Sequence, residues 1–175
     1  YLKAAENQQC LLEDLAKGCA RINCGYASVY TDTQGNRWLP DQDFKGSGAY
    51  GSSGASWVDR GDIEIQDAAA PRVYQTESYG GRVVYTVPVP NGKYNLRLHF
   101  AETFVKNTLP GMRLISVKVN DRVVPDKIDP LRLAGAFAKP YVLELKDIPV
   151  YDGVIEVELT ENAEINGIEV EKDGP

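Results

Sequence analysis

The sequence predicts an all-β protein, an antiparallel β-sandwich preceded by one short helix. Three observations carry this expectation. From Arg21 onward, apolar residues recur at every second position in several separate stretches. Turn-forming pairs punctuate those stretches: Asn91-Gly92, Asn120-Asp121, Asp152-Gly153 and Asn166-Gly167. No helical period intervenes between them, and many half-buried strands at short spacing indicate a sandwich.

Residues 1–18 differ from the rest. Leu2, Leu11, Leu12 and Leu15 fall near helical spacing among Glu, Gln and Lys, and Gly18 suits a helix C-terminus. This segment is expected to be an N-terminal helix or linker, with residues 19–175 forming the main domain. Arg21-Ile22-Asn23-Cys24-Gly25 opens the first strand. Arg82 to Val89 alternates, turns at Pro90-Asn91-Gly92, and continues as Lys93 to Phe100, where Tyr94, Leu96, Leu98 and Phe100 share one face. Ile115, Val117 and Val119 form the next such row. Tyr141, Leu143 and Leu145 follow, then Ile155, Val157 and Leu159. A period of two with one apolar face marks strands buried on one side. Asp41 to Asp62, rich in Gly, Ser and Asp, and Asp129 to Pro140 lack this pattern. Both are expected to be long ordered loops, where binding sites are common.

Composition narrows the function. A chain of 175 residues with a formal net charge of −6 has little to offer a phosphate backbone, so no nucleic-acid partner is expected. No run of about 18 apolar residues exists, so no membrane partner is expected either. The chain begins at Tyr1 without methionine and shows no leader peptide, which reads as a processed protein or a piece of a longer one. Cys10, Cys19 and Cys24 are odd in number and lack zinc-site spacing; Cys24 reads as a small buried residue.

Enzyme signatures fail on context. Gly46-Ser47-Gly48-Ala49-Tyr50-Gly51 matches the dinucleotide pattern, but neither the preceding strand nor the following helix is present, so no cofactor is expected. His99 has no companion motif and reads as a partly exposed strand histidine. Asp41 and Asp43 lack EF-type spacing, and no metal is assigned. Asp41, Asp43, Glu77, Glu102 and Glu161 supply carboxylates, but a glycosidase pair needs a defined separation across a cleft. The aromatics are more suggestive: Tyr30, Tyr50, Trp57, Tyr74, Tyr79 and Phe104 fall in loops or at strand ends. Sugar C–H faces stack on such rings while carboxylates and amides take the hydroxyls.

The ordered series of motifs resembles the malectin-type family, carbohydrate-binding module family 57. It runs from Arg21-Ile22-Asn23-Cys24-Gly25 through Tyr74-Gln75-Thr76-Glu77-Ser78-Tyr79, Val87-Pro88 and Gly92-Lys93-Tyr94. It continues with His99-Phe100-Ala101-Glu102, Gly111, Val117-Lys118-Val119-Asn120 and Ile165-Asn166-Gly167-Ile168. The resemblance implies a jelly-roll-like β-sandwich with a loop-end sugar site and no catalytic residue. Its ligand-binding residues would be Tyr50, Tyr79, Phe104 and Glu161, with Glu77 and Glu102 beside them. Val105 stands where the pattern has a second ring, and Glu161 where the animal member has aspartate, so the animal member's glucose-disaccharide specificity does not carry over. The Val-Pro-Val-Pro-Asn-Gly-Lys-Tyr stretch is closer to bacterial domains attached to glycoside hydrolases. The resemblance therefore implies a secreted, periplasmic or cell-surface accessory module that binds an oligosaccharide or polysaccharide and is covalently linked to a catalytic domain. The alternative is a structural or protein-interaction module with a degenerate sugar site.

Overall fold

The computed structural model describes residues 2–46 and 48–174, with Leu2 by its backbone alone. Tyr1, Ser47 of the glycine-rich motif, Pro175 and the Leu2 side chain lie outside the described residues. The elements in chain order are α1 (Leu2–Ala16), β1 (Cys19–Asn23), β2 (Tyr30–Thr31), β3 (Arg37–Pro40), β4 (Gly51–Ser53) and β5 (Ser56–Asp59). There follow α2 (Pro71–Gln75), β6 (Thr76–Pro88), β7 (Gly92–Phe100), β8 (Ile115–Val119) and β9 (Arg122–Val123). The last are α3 (Pro130–Ala134), β10 (Tyr141–Val150), β11 (Val154–Ile165) and β12 (Gly167–Lys172).

Among the described residues these strands form two sheets. One has the order β10-β7-β12-β1-β3-β2; the other runs β4-β6-β11-β8-β9, with β5 also paired to β6. The pairings are antiparallel except for β1 with β3, which run parallel through Ile22↔Leu39 and Asn23↔Pro40. That pair departs from the purely antiparallel expectation, because the chain between the two strands loops back before β3 begins.

The alternating rows meet between the sheets. Ile22, Leu96, Leu98, Ile168 and Val170 of the first sheet are buried with Val83, Tyr85, Val87, Val117, Ile155, Val157 and Leu159 of the second. Register explains the match: Ile155↔Val87, Val157↔Tyr85 and Leu159↔Val83 lie directly opposite and so share a face. α1 joins the same core through Leu11 and Leu15. Gln8 then clips it down, donating to the Pro88 carbonyl at 2.8 Å and accepting from the Tyr50 amide at 2.8 Å.

Part of the stretch expected as loop is strand. β4 and β5 both pair with β6 inside residues 41–62, and α3 lies inside 129–140. The outer face of the first sheet is also less open than its alternation suggests. Residues of α2 and the chain before it cover that face, forming a small second cluster of Trp38, Ala70, Val73, Tyr74 and Ala101. His99 is consequently buried at 7% exposure rather than partly exposed. Its Nδ1 meets the Tyr74 hydroxyl at 2.6 Å and its Nε2 meets Glu169 at 2.8 Å, with Trp38 edge-on to the ring. Glu169 also accepts from Arg97 at 2.7 Å.

Two predictions follow from this packing. Tyr94 is fully buried and donates to the Pro90 carbonyl, so Tyr94→Ala should cost about 3 kcal/mol in chemical denaturation by lost burial and a cavity. Burial works to raise the Glu169 pKa, but hydrogen bonds with His99 and Arg97 outweigh it and hold the carboxyl down at about 2. A lowered carboxylate pKa gives stability that is present above the unfolded-state value and lost as pH falls through the folded one. Wild-type stability should therefore drop between about pH 4.5 and about pH 2, by on the order of 2–3 kcal/mol from this group. Glu169→Gln should lower stability at neutral pH and flatten that acid limb in thermal melts.

Candidate functional site

At one end of the sandwich, β5, the start of β6, the β7–β8 connection (101–114) and a bulge in β11 enclose a cleft of about 320 Å³. Val58, Arg60, Glu77, Tyr79, Phe104, Asn107, Arg113 and Asn162 line it. Strand geometry sets the first wall: Glu77 and Tyr79 are two residues apart and share a face, with Val58 opposite Glu77. The second wall is the β7–β8 connection, which carries Phe104, Asn107 and Arg113. The bulge between Thr160 and Ala163, where Glu161 takes a φ of +72°, turns Asn162 toward the cleft.

The floor is a set of ion pairs whose carboxylates are buried. Arg60 Nη2 donates to Glu77 Oε1 at 2.8 Å, and Thr103 donates to Glu77 Oε2 at 3.1 Å. Arg113 Nε donates to Glu102 Oε2 at 2.6 Å, joined there by Asn107 Nδ2 at 3.1 Å, while the Phe104 amide donates to Oε1 at 3.0 Å. Arg113 also reaches the Asn162 side chain at 3.2 Å. Glu77 is 2% exposed and Glu102 fully buried. Burial raises the Glu77 pKa, against the pull of Arg60 and Arg113. The Arg60 guanidinium sits 5.5 Å from the Phe104 ring centre, a cation–π contact that holds the ring at the cleft wall. Gly25 lies close behind: a side chain there would meet the Glu77 carbonyl at 2.4 Å, so the chain can only pass as glycine.

The expected site residues separate into groups. Glu77, Tyr79 and Phe104 line the cleft, and Tyr79 is 41% exposed. Glu102 lies beneath it and acts on Arg113 and Asn107. Tyr50 does not reach the cleft. It is 1% exposed in the main core and its hydroxyl donates to the Pro40 carbonyl at 2.6 Å, so no ring face remains for a ligand. Glu161 neighbours Asn162 but faces solvent and pairs with Lys127 at 2.8 Å. Tyr74 belongs to the His99 network. Asp41 accepts from Gly25, Gln42, Ser78 and Tyr85, which leaves it committed to the fold rather than to an ion. Sequence reasoning missed Arg60, Asn107, Arg113 and Asn162. Each sits in a stretch without period, and its partner is set by tertiary contact.

A larger hollow of about 600 Å³ lies among the turns that follow β8 and β10. Its one aromatic ring, Tyr151, is 86% exposed, and Asn120 there is spent on the Val154 carbonyl and the Glu156 amide. None of its lining residues belongs to a buried ion pair, so the cleft of Tyr79 and Phe104 is the better-built site.

Comparison with known proteins agrees with the architecture. Part of a β-glucuronidase from Bacteroides uniformis superposes with a TM-score of 0.78 at 22% identity, covering 93% of this chain and 19% of that one. The ANXUR2 extracellular domain from Arabidopsis thaliana superposes with a TM-score of 0.71 at 20% identity, covering 87% of this chain and 48% of that one. A probable LRR receptor-like serine/threonine-protein kinase of Arabidopsis thaliana is 23% identical over 168 residues, 84% of this chain. The chain spans 16% of that kinase's length. The family model of the malectin domain matches residues 18–174. That match runs from the end of the N-terminal helix through the last strand, and by it the chain belongs to the malectin domain family, a carbohydrate-binding type of fold.

Proposed function

We propose that the protein is a non-catalytic carbohydrate-binding module that takes an oligosaccharide in the cleft between Tyr79 and Phe104. The observation that carries this reading is the pairing of two accessible rings with a rigid polar floor. Rings offer stacking for sugar C–H faces, and Asn162 and Asn107 offer amides for hydroxyls. A hydrolytic role is disfavoured by the same floor. Glu77 and Glu102 are buried and each is held by an arginine, so neither is free to move a proton to a glycosidic oxygen. The bacterial glucuronidase, of which the matching part is 19%, supports a covalently linked glycoside hydrolase as the partner. The extracellular plant domain supports a secreted, periplasmic or cell-surface location.

A second reading, a protein-interaction module, has one observation in its favour. The β7–β8 connection turns Val105, Leu109, Met112 and Leu114 outward and buries Glu102, Thr103, Asn107 and Arg113. A co-purifying protein retained by a Tyr79→Ala, Phe104→Ala double variant would favour it.

Glycan arrays followed by calorimetry test the first reading. A shallow cleft should bind weakly, and absence of binding to every glycan at millimolar concentration would overturn it. Within a positive result, Tyr79→Ala should lose about 1 kcal/mol or more, roughly fivefold in affinity. Its melting temperature should stay near wild type, because a ring this exposed adds little to the core. Retained affinity in that variant would place the site elsewhere.

A further inference from the structure

Beneath the cleft lies a third carboxyl, Glu164, which the binding reading does not use. It is fully buried, and neither of its oxygens has a hydrogen-bond partner among the described residues. The β6–β11 register puts it directly opposite Tyr79 and diagonal to Glu77 on the same face. The groups that reach it electrostatically are Glu77 from β6, Glu102 and Arg113 from the β7–β8 connection, and the Cys24 thiol just past β1. Arg60 stands one step away, on Glu77.

The charges do not balance if all are ionised. Two guanidiniums, which stay charged in proteins, face three carboxyls, and each guanidinium is already committed to one of the other two. A buried carboxylate with no hydrogen-bond donor, whose nearby guanidinium Arg113 is already paired with Glu102, is far more costly than the neutral acid, so such a group keeps its proton. We infer that Glu164 is carried as a neutral carboxylic acid that preserves the one-to-one pairs Arg60–Glu77 and Arg113–Glu102, and that its ionisation is a switch that loosens the cleft floor. This rests on the reading of that cleft as the binding site. Burial is the main force raising its pKa, Glu77 and Glu102 add to it, and Arg113 opposes it; the nearby Ala101 amide is spent on the Asn166 side chain at 2.8 Å. Once ionised, Glu164 competes with Glu102 for Arg113. Arg113 also holds Asn162, which donates to the Met112 carbonyl, so the β7–β8 connection loses its fastening.

The sign is opposite to that of Glu169. A raised carboxyl pKa gives stability that is fully present below the unfolded-state value and lost as pH rises toward the folded one. Glu77 is raised as well but keeps Arg60 and Thr103, so a variant is needed to separate the two.

The test uses the ligand-free protein, so that it succeeds or fails independently of sugar binding. Carboxyl carbons of glutamate are labelled with ¹³C, the Glu164 signal is assigned by through-bond correlation in the wild type, and pH is raised from about 4.5 to about 9. The Glu164 signal should stay at the protonated position at neutral pH. At the pH where it moves, the Tyr79 amide and Arg113 Nε signals should move with it. In Glu164→Gln that joint step should vanish, and thermal stability should decline less with rising pH than in wild type. An ionised Glu164 signal at neutral pH overturns the inference, as does an unchanged Tyr79 and Arg113 step in the variant. Because the decisive signal is read in wild type, a variant that fails to fold does not rescue the idea.

Discussion

Asn166 is the residue on which the two halves of this molecule hang. It is the single residue between β11 and β12, the point where the chain leaves one sheet for the other, and it is fully buried. Its amide donates to the His99 carbonyl and its carbonyl accepts from Cys24. Its side chain accepts from the Ala101 amide at 2.8 Å and donates to the Thr76 carbonyl at 2.8 Å. Thr76 precedes Glu77, and Ala101 precedes Glu102. Both carboxylates of the cleft floor are thus hung one residue beyond the two anchoring points of one amide group. Neighbouring Gly167 allows that closeness, since a side chain there would press within 3 Å of Val73 and Trp38. A fully satisfied buried amide in a low-dielectric interior specifies one geometry rather than merely adding cohesion.

The site above it is built in inverted polarity. The β7–β8 connection buries Glu102, Thr103, Asn107 and Arg113 and exposes Val105, Leu109 and Met112. Buried ion pairs of this kind add little net stability, because desolvation offsets the attraction, but breaking one partner leaves an uncompensated charge. Their contribution here is positional. Arg60 ties Glu77 to the Phe104 ring, and Arg113 ties Glu102 to Asn162, so that ring and that amide are fixed at the cleft by the fold itself.

The strands that face the core on one side were legible, because alternation reports burial directly: β7, β8, β10 and β11 fall on the rows of Tyr94, Ile115, Leu143 and Val157. β4 and β5 were not, because they are three and four residues long and neither carries an alternating apolar row of its own. Tyr50 misled for a related reason. It is a single aromatic anchor in a glycine-rich stretch, and one buried side chain makes no period. His99 misled because alternation describes a sheet's two faces, not what later covers them; α2 and the chain before it supply that cover. Of the residues that the order of motifs singled out, Glu77, Tyr79 and Phe104 line one cleft. The arginines that pair with Glu77 and Glu102 lie 17 and 11 residues from them, at no characteristic spacing.

The placement of β12 has a mechanical consequence. It is an interior strand, hydrogen-bonded to β1 on one side and β7 on the other, and it runs from Gly167, next to Asn166, to Lys172. Ladder hydrogen bonds lie perpendicular to the strands. A pull on Lys172 along the strand axis, resisted at the cleft end of the sheet, therefore loads both ladders together in shear. No bond at the strand end can be peeled open ahead of the rest. The end of β12 nearest the cleft is made fast to the same amide group that hangs the two cleft carboxylates.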